Sequence, residues 1–428
     1  MQGRDRNTHA TSRPDSESFL VQAGRSAKML RLNMKPSRRQ FLGTVAASSL
    51  ALTTHAAGAT PRWQVAIIGH TGRGDYGHGL DTMWQKLPET ELVAVADADA
   101  KGLAAAQQRL KIQRGYTDYR KMLAEVQPSI VAIGMRHVDQ HRDVVLAVAA
   151  AGARGIYMEK PFCRTPAEAD DIVAACARHK VKLALAHRNR WHPVLPVTDK
   201  LVKDGAIGRL LELRARGKED ARGGSLDMWV LGSHLLNLIC HFGGQPLGCT
   251  ATVFQAGKPV TRADVKDGAE GIGPLTGDEV HARYDMERGF PAYFDSIANA
   301  GDRAAGFGLQ LIGTKGIIDL RMDQDPVAHI LAGNPFRPIQ NPRSWQLIST
   351  AGVGLPEPKP DAIKDVMTHL TAGRDLLAAI REDRDPLCSA RDGRATVEMI
   401  AAAFESHRLQ GQRVTFPLAA RDNPLARL

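Results

Sequence analysis

In the stretch Gln64–Gly79, "QVAIIGHTGRGDYGHG", five glycines follow an apolar run without a gap. Such a turn lets backbone N–H groups approach a phosphate, and a following helix adds its N-terminus. An acid ending the next strand can accept from ribose hydroxyls. That acid is Asp97, which closes "ELVAVAD" 28 residues after Gly69. Strand, loop, helix, strand and acid together predict a dinucleotide cradle. Gly72, Gly74 and Gly77 satisfy G-x-G-x-x-G literally, but Gly69, Thr71 and Gly74 follow the strand end directly. The second register is preferred because the first leaves slack before the phosphate. Gly69, Thr71, Gly72, Arg73 and Gly74 are therefore the expected cofactor contacts. A carboxylate at position 97 repels a 2′-phosphate, so NAD is expected and NADP disfavoured. His137 and His141 stand at i, i+4, yet neither an H-E-x-x-H motif nor a cysteine accompanies them, and no metal is expected.

These residues need a scaffold that holds them still. The runs "WQVAIIG", "ELVAVAD", "SIVAIG", "GIYMEK" and "KLALAH" alternate with helical stretches. Continuous apolar strands between helices imply a parallel sheet covered on both faces. Thr165, Pro166 and Glu168 form a capping box with proline at the first helical position, and the helix they open closes at His179 and Lys180. Past Arg190 the texture changes. "LLELRARG" and "EVHARYDME" alternate apolar and polar residues, the pattern of a mostly antiparallel sheet with one face packed. "MWVLGSHLLNLICHF", "DAIKDVMTHLTAGRDLLAAI" and "GRATVEMIAAAFESH" read as helices. The expected fold class is α/β: an N-terminal Rossmann dinucleotide-binding domain over 60–190, then a C-terminal α+β domain over 191–428 with a large open, mostly antiparallel sheet.

Residues 1–59 have a different character. They carry nine of the 56 Lys/Arg and three of the 46 Asp/Glu, leaving 47 basic against 43 acidic residues in the remainder. That balance is no footprint for nucleic acid or a membrane surface. Arg38 and Arg39 precede a chargeless Ala-rich run from Phe41 that ends in Ala57, Gly58 and Ala59. The order resembles a twin-arginine signal peptide, so a periplasmic or otherwise exported protein is expected, with the twin-arginine machinery as a partner and no membrane span after signal removal. Five cysteines without a C-x-x-C suggest buried thiols.

The segments "VAIIGHTGRG", "VAVAD", "GMRHVDQH", "YMEKPF", "HRNRWHP", "LGSHLLN" and "FGLQLIGTKGIIDL" occur in an order that resembles the glucose-fructose oxidoreductase/inositol dehydrogenase (Gfo/Idh/MocA) superfamily, over about Trp63 to Leu418. The resemblance implies that Lys160, between Glu159 and Pro161 at the end of the fifth parallel strand, lies beside the nicotinamide with Glu159 positioning it. An ammonium there stabilises a growing alkoxide. It implies Arg136 and His137 in the turn beside the cofactor, and Arg188, Asn189, Arg190 and Trp191 at the lip of the cleft. Lys160, Arg190, His234 and Asn237 are then the substrate contacts, His234 matching the family's base. The aspartate that usually stands four residues before that histidine is replaced by Val230; Asp227, Asn237 and His241 are the available substitutes.

The function so implied is an NAD(H)-dependent oxidoreductase acting on a sugar, cyclitol or related polyol, with a tightly held cofactor. Two alternatives stand beside it: an NAD-dependent glycoside-cleaving enzyme working by transient oxidation and elimination, and a non-catalytic protein binding nucleotide and carbohydrate. The polar face of the second sheet is the expected surface of a homo-oligomer, dimer or tetramer. Replacing both Arg38 and Arg39 by lysine should leave the protein in the cytoplasm, as read by cell fractionation; normal delivery of the double variant contradicts the signal.

Overall fold

The computed structural model describes residues 62–301, 307–339 and 341–428. The twin-arginine segment lies outside them. Thr60–Leu428 form one compact unit.

Six parallel strands, β1 (Trp63–Ile68), β2 (Thr90–Ala96), β3 (Gly115–Tyr116), β4 (Ile130–Ile133), β5 (Gly155–Met158) and β6 (Lys182–Leu185), pair in the order β3-β2-β1-β4-β5-β6. This is the doubly wound order, with its switch point between β1 and β4. Every residue of β4 and β5 is buried, as expected when helices α1 (Ala100–Leu110), α2 (Tyr119–Val126), α3 (His141–Ala150) and α4 (Pro166–His179) cover such a sheet. Half of the capping box before α4 forms: Glu168 N donates to Thr165 Oγ1 (3.2 Å), but the Glu168 carboxylate accepts from Arg164 N (2.9 Å) and not from the N-cap N–H; Lys180 ends the helix in the left-handed region.

The glycine loop departs from expectation. No α-helix follows it; turns run from Thr71 to Thr82 and end in a short 3₁₀ segment, Met83–Lys86. Gly72, Gly74, Gly77, Gly79 and even Asp75 have positive φ, and a right-handed helix cannot contain such a run. The turn itself stands where a helix N-terminus was expected, and several of its N–H groups donate within the fold: Thr71 to Asp97, Gly72 to Asp75, and Arg73 and Asp75 to the His70 carbonyl.

The polypeptide then continues through α5 (Val194–Lys203) into the second sheet. In spatial order its main strands are Gly352–Val353, Gln346–Ser349, Ala328–Ala332, Gly316–Arg321, Gly308–Gly313, Leu210–Arg216, Pro291–Ile297, Glu279–Met286, Pro246–Gln255 and Val414–Thr415. Leu210–Arg216 and Pro291–Ile297 form its one parallel pair among the described residues. Alternation holds: Leu213 and Ala215 are buried while Arg214 and Arg216 are exposed.

Two predicted helices are each broken once. "MWVLGSHLLNLICHF" divides at Leu231 into α6 (Ser225–Val230) and α7 (Gly232–Gly243). "DAIKDVMTHLTAGRDLLAAI" divides at His369, whose φ of 63° separates α8 (Pro360–Met367) from α9 (Leu370–Glu382). α10 (Ala390–Arg408) is continuous.

The loop geometry makes two glycines unequal. A Cβ on Gly74 would lie 2.5 Å from the Arg136 backbone nitrogen, whereas one on Gly72 meets nothing within 4 Å; both have positive φ. Gly72→Ala should cost about 1 kcal/mol for its dihedral alone, and Gly74→Ala more, roughly 3 kcal/mol with the clash. Denaturant unfolding of the two variants reads the difference.

Candidate active site

Glu159 directly follows β5 and is 1% exposed. Its Oε2 accepts the backbone N–H of Lys160 (2.9 Å), and its Oε1 accepts both the backbone N–H of His78 (3.0 Å) and the His78 ring at Nδ1 (2.5 Å). An ionised carboxylate only accepts, so the proton belongs to Nδ1 and the neutral ring keeps Nε2 as its basic nitrogen. Burial pushes the Glu159 pKa up, but the His78 hydrogen bond and the Lys160 charge outweigh it and hold the carboxyl at about 2.

The Lys160 ammonium is nearly buried and donates to the carbonyl of Val230 (2.9 Å). Burial lowers its pKa despite the charge of Glu159. Position 230 thus offers the site a backbone oxygen in place of a carboxylate.

His78, Lys160, Arg188, His234 and His369 all open into one cavity of about 240 Å³. Its three imidazoles differ in their partners. The His234 ring lies 5.0 Å from that of His187, and its Nδ1 has no partner among the described residues. Burial first, then the neighbouring His187, Lys160 and Arg188, carry its pKa well below the ordinary value. His369 pairs through Nδ1 with the Tyr157 hydroxyl (2.6 Å), its Nε2 has no partner among the described residues, and burial lowers it to about 4. His187, behind His234, falls to about 3 for the same reason. Of the three bordering rings only His78 has an acid partner among the described residues, and its side chain remains 45% exposed.

None of the substitutes for the absent aspartate reaches His234. The Asp227 carboxylate turns to the second sheet, accepting from Ser296 Oγ (2.7 Å) and Glu219 N (3.1 Å). His241 is held between Asp199 (3.0 Å) and Arg190. Asn237 is buried beside Cys388, and it does not border the cavity. Arg190 is also corrected: its guanidinium donates to His241 and to the Leu387 carbonyl (2.9 Å), pointing the charge away, and Arg188 takes the place at the cavity wall.

Asp97 is corrected as well. Its carboxylate, 1% exposed, accepts from Thr71 N (3.1 Å), Thr71 Oγ1 (2.7 Å), Tyr76 OH (2.8 Å) and Asp99 N (3.0 Å). Burial raises its pKa, but the bonds from Thr71, Asp99 and Tyr76 bring it below the ordinary value. Asp97 therefore splints the glycine loop instead of standing free for a ribose. Gly69 makes this possible, since a Cβ there would lie 2.3 Å from the Tyr76 ring.

The rest of the predicted cofactor set comes together. Gly74 packs on Arg136, His137 N donates to the Arg73 carbonyl (3.4 Å), and Arg73 pairs with Asp139 (2.5 Å). The open face at Gly72 and the Arg136 Nε, without a partner among the described residues, suit a pyrophosphate. His141 belongs to the scaffold, its ring nitrogens facing the carbonyls of Pro161 (2.9 Å) and Met135 (2.8 Å). The five thiols are unpaired, four of them buried and Cys240 partly so.

Sequence reasoning passed over His78, His187, His369 and Phe307. The first was hidden by its own glycine-rich loop, although its place near the phosphate turn was a usable signal. His369 lies in a run whose helical period continues through the break.

Residues 63–187 match the oxidoreductase family with an NAD-binding Rossmann fold, so the cofactor expected from the sequence is the one this fold binds. The protein is 38% identical over 147 residues to D-apiose dehydrogenase of Paraburkholderia graminis, covering 34% of this chain and 38% of that one. It is 23% identical over 249 residues to levoglucosan dehydrogenase of Pseudarthrobacter phenanthrenivorans, covering 52% and 63%. The alignments thus span between about a third and two thirds of these curated relatives. A structure of levoglucosan dehydrogenase in complex with NADH and L-sorbose superposes with a TM-score of 0.67 at 20% identity, over 84% of this chain and all of that one, and shows the shared fold.

The Glu159 pKa, held near 2 against an ordinary 4.5, means that its stabilisation is present above pH 4.5 and lost as pH falls toward 2. Glu159→Gln should be less stable than the parent at neutral pH by roughly 3 kcal/mol, with the gap closing across that acid window in denaturant titrations.

Proposed function

We propose that the protein is an NAD(H)-dependent oxidoreductase acting on a CH–OH group of a sugar, cyclitol or related polyol. The observation that carries this reading is the shared cavity of the Lys160 ammonium and the Glu159-backed His78 imidazole. It adjoins the carboxyl ends of the parallel strands, where open α/β sheets bind ligands. Thr71, Gly72, Arg73, Gly74 and Arg136 are the residues that would hold the pyrophosphate. Bound NAD supplies the hydride acceptor.

Lys160 donates to the reacting oxygen and stabilises its developing negative charge. His78 takes the hydroxyl proton at Nε2, Glu159 stabilises the resulting imidazolium, and the half-exposed ring hands the proton to water. His234 and His369 stay neutral at pH 7. Their unpaired ring nitrogens serve to orient hydroxyls, which donate or accept equally well. The same reading has the protein exported in folded form with its cofactor loaded, as a dimer or tetramer. Retention outside the cytoplasm then calls for a dissociation constant near 1 nM, about −12 kcal/mol.

The test is NADH formation by the purified full chain on a panel containing D-apiose, levoglucosan, glucose and inositol. Lys160→Met and His78→Gln should each lower kcat on the order of 10²–10⁴-fold with NADH affinity unchanged, and His234→Gln should lower it less than His78→Gln. Tighter binding of NADPH than of NADH, or full activity in His78→Gln, overturns the assignment.

A further inference from the structure

The cations around the cavity are unequally compensated. Lys218 is paired with Asp323 (2.6 Å), and Arg222 with Asp220 (2.5 Å). Lys160 has Glu159 beside it. Arg188 alone among these has no hydrogen bond or ion pair with the described residues, yet it borders the cavity and is only partly exposed.

Its backbone is nonetheless firmly held. Arg188 opens the short 3₁₀ segment Arg188–Trp191, in which Asn189 and Trp191 are buried. Trp191 Nε1 donates to Asp375 (2.9 Å), and Arg190 donates to the Leu387 carbonyl (2.9 Å). A guanidinium on a fixed base, without a counter-ion among the described residues and facing a cavity, is pre-organised for an anion that arrives with the ligand. The positive charge reaches the neighbouring rings: Arg188 and Lys160 both act to keep His234 and His369 unprotonated.

Resting on the reading that this cavity takes the polyol, we infer that the substrate is a monosaccharide-sized polyhydroxy acid, such as a uronic or aldonic acid, whose carboxylate is bound by Arg188. A cavity of about 240 Å³ suits one sugar unit better than a nucleotide sugar or an oligosaccharide. The planar fork of one guanidinium matches the two oxygens of a carboxylate. A phosphate would call for several free donors, and the other cations here are engaged.

The test is calorimetric titration of the NADH-saturated full chain with matched pairs: D-glucuronate against D-glucose, D-gluconate against D-glucitol, and L-tartrate against threitol, with a glucose phosphate beside them. In at least one pair the acid should bind tenfold or more tightly than its neutral partner. That preference should vanish in Arg188→Gln and return at least partly in Arg188→Lys, while NADH affinity stays at the parent value in both. NADH binding without a preference for any acid overturns this inference and leaves the oxidoreductase reading standing. So does a preference that survives in Arg188→Gln, or a glucose phosphate that binds more tightly than every carboxylate. Failure to bind NADH at all sinks the oxidoreductase reading, and this inference with it.

Discussion

One buried carboxylate sets the geometry of the site. Glu159 is attached to the sheet by its own N–H, which donates to the Ile133 carbonyl of β4 (2.9 Å), and it gathers the His78 backbone, the His78 ring and the Lys160 backbone around its two oxygens. A buried charge must be fully compensated or it costs several kcal/mol, so the glycine loop and the lysine are held to the same point. The loop can come that close only because Gly77 has no side chain; a Cβ there would lie 2.5 Å from Glu159 Cγ. The acid that stabilises the turn therefore also backs the imidazole that faces the cavity.

A valine at position 230, where the family resemblance leads one to expect an aspartate, makes sense in this setting. With no carboxylate on α6 or α7 facing it, His234 sits among positive charges and stays neutral, while Lys160 finds its partner in the Val230 carbonyl. The imidazole–carboxylate couple is found on the Rossmann side, between residues 81 positions apart. Arg188, at the cavity, has no counter-ion among the described residues. Asp227 does not relieve this, since its carboxylate accepts from Ser296 of the second sheet and from the Glu219 backbone in the loop beyond Arg216.

Both breaks in the predicted helices fall at the cavity. Leu231, between α6 and α7, and His369, between α8 and α9, are wall residues. A continuous helix would carry its side chains along a straight face, whereas these irregularities turn individual residues inward. The left-handed backbone at His369 is a conformation of non-glycine residues that commonly marks functional surroundings.

Much of the scaffold was legible in the residues alone. Fully buried parallel strands appear as unbroken apolar runs, a half-buried sheet as strict alternation, and the start of α4 as Thr165, Pro166 and Glu168, because each depends on burial or bonding within a few residues. Lys160 and the glycine loop were legible too, by type and spacing. The absent helix after the loop, the internal use of Asp97, the diversion of Arg190 and the pairing of His78 with Glu159 were not. Each depends on which atoms meet across the fold, and a hydrogen bond or ion pair between distant segments leaves no periodic trace in sequence. Residue types and their local periods thus determined the two sheets and the chemistry on offer, whereas tertiary structure decided which imidazole received a carboxylate and which cation, among the described residues, did not.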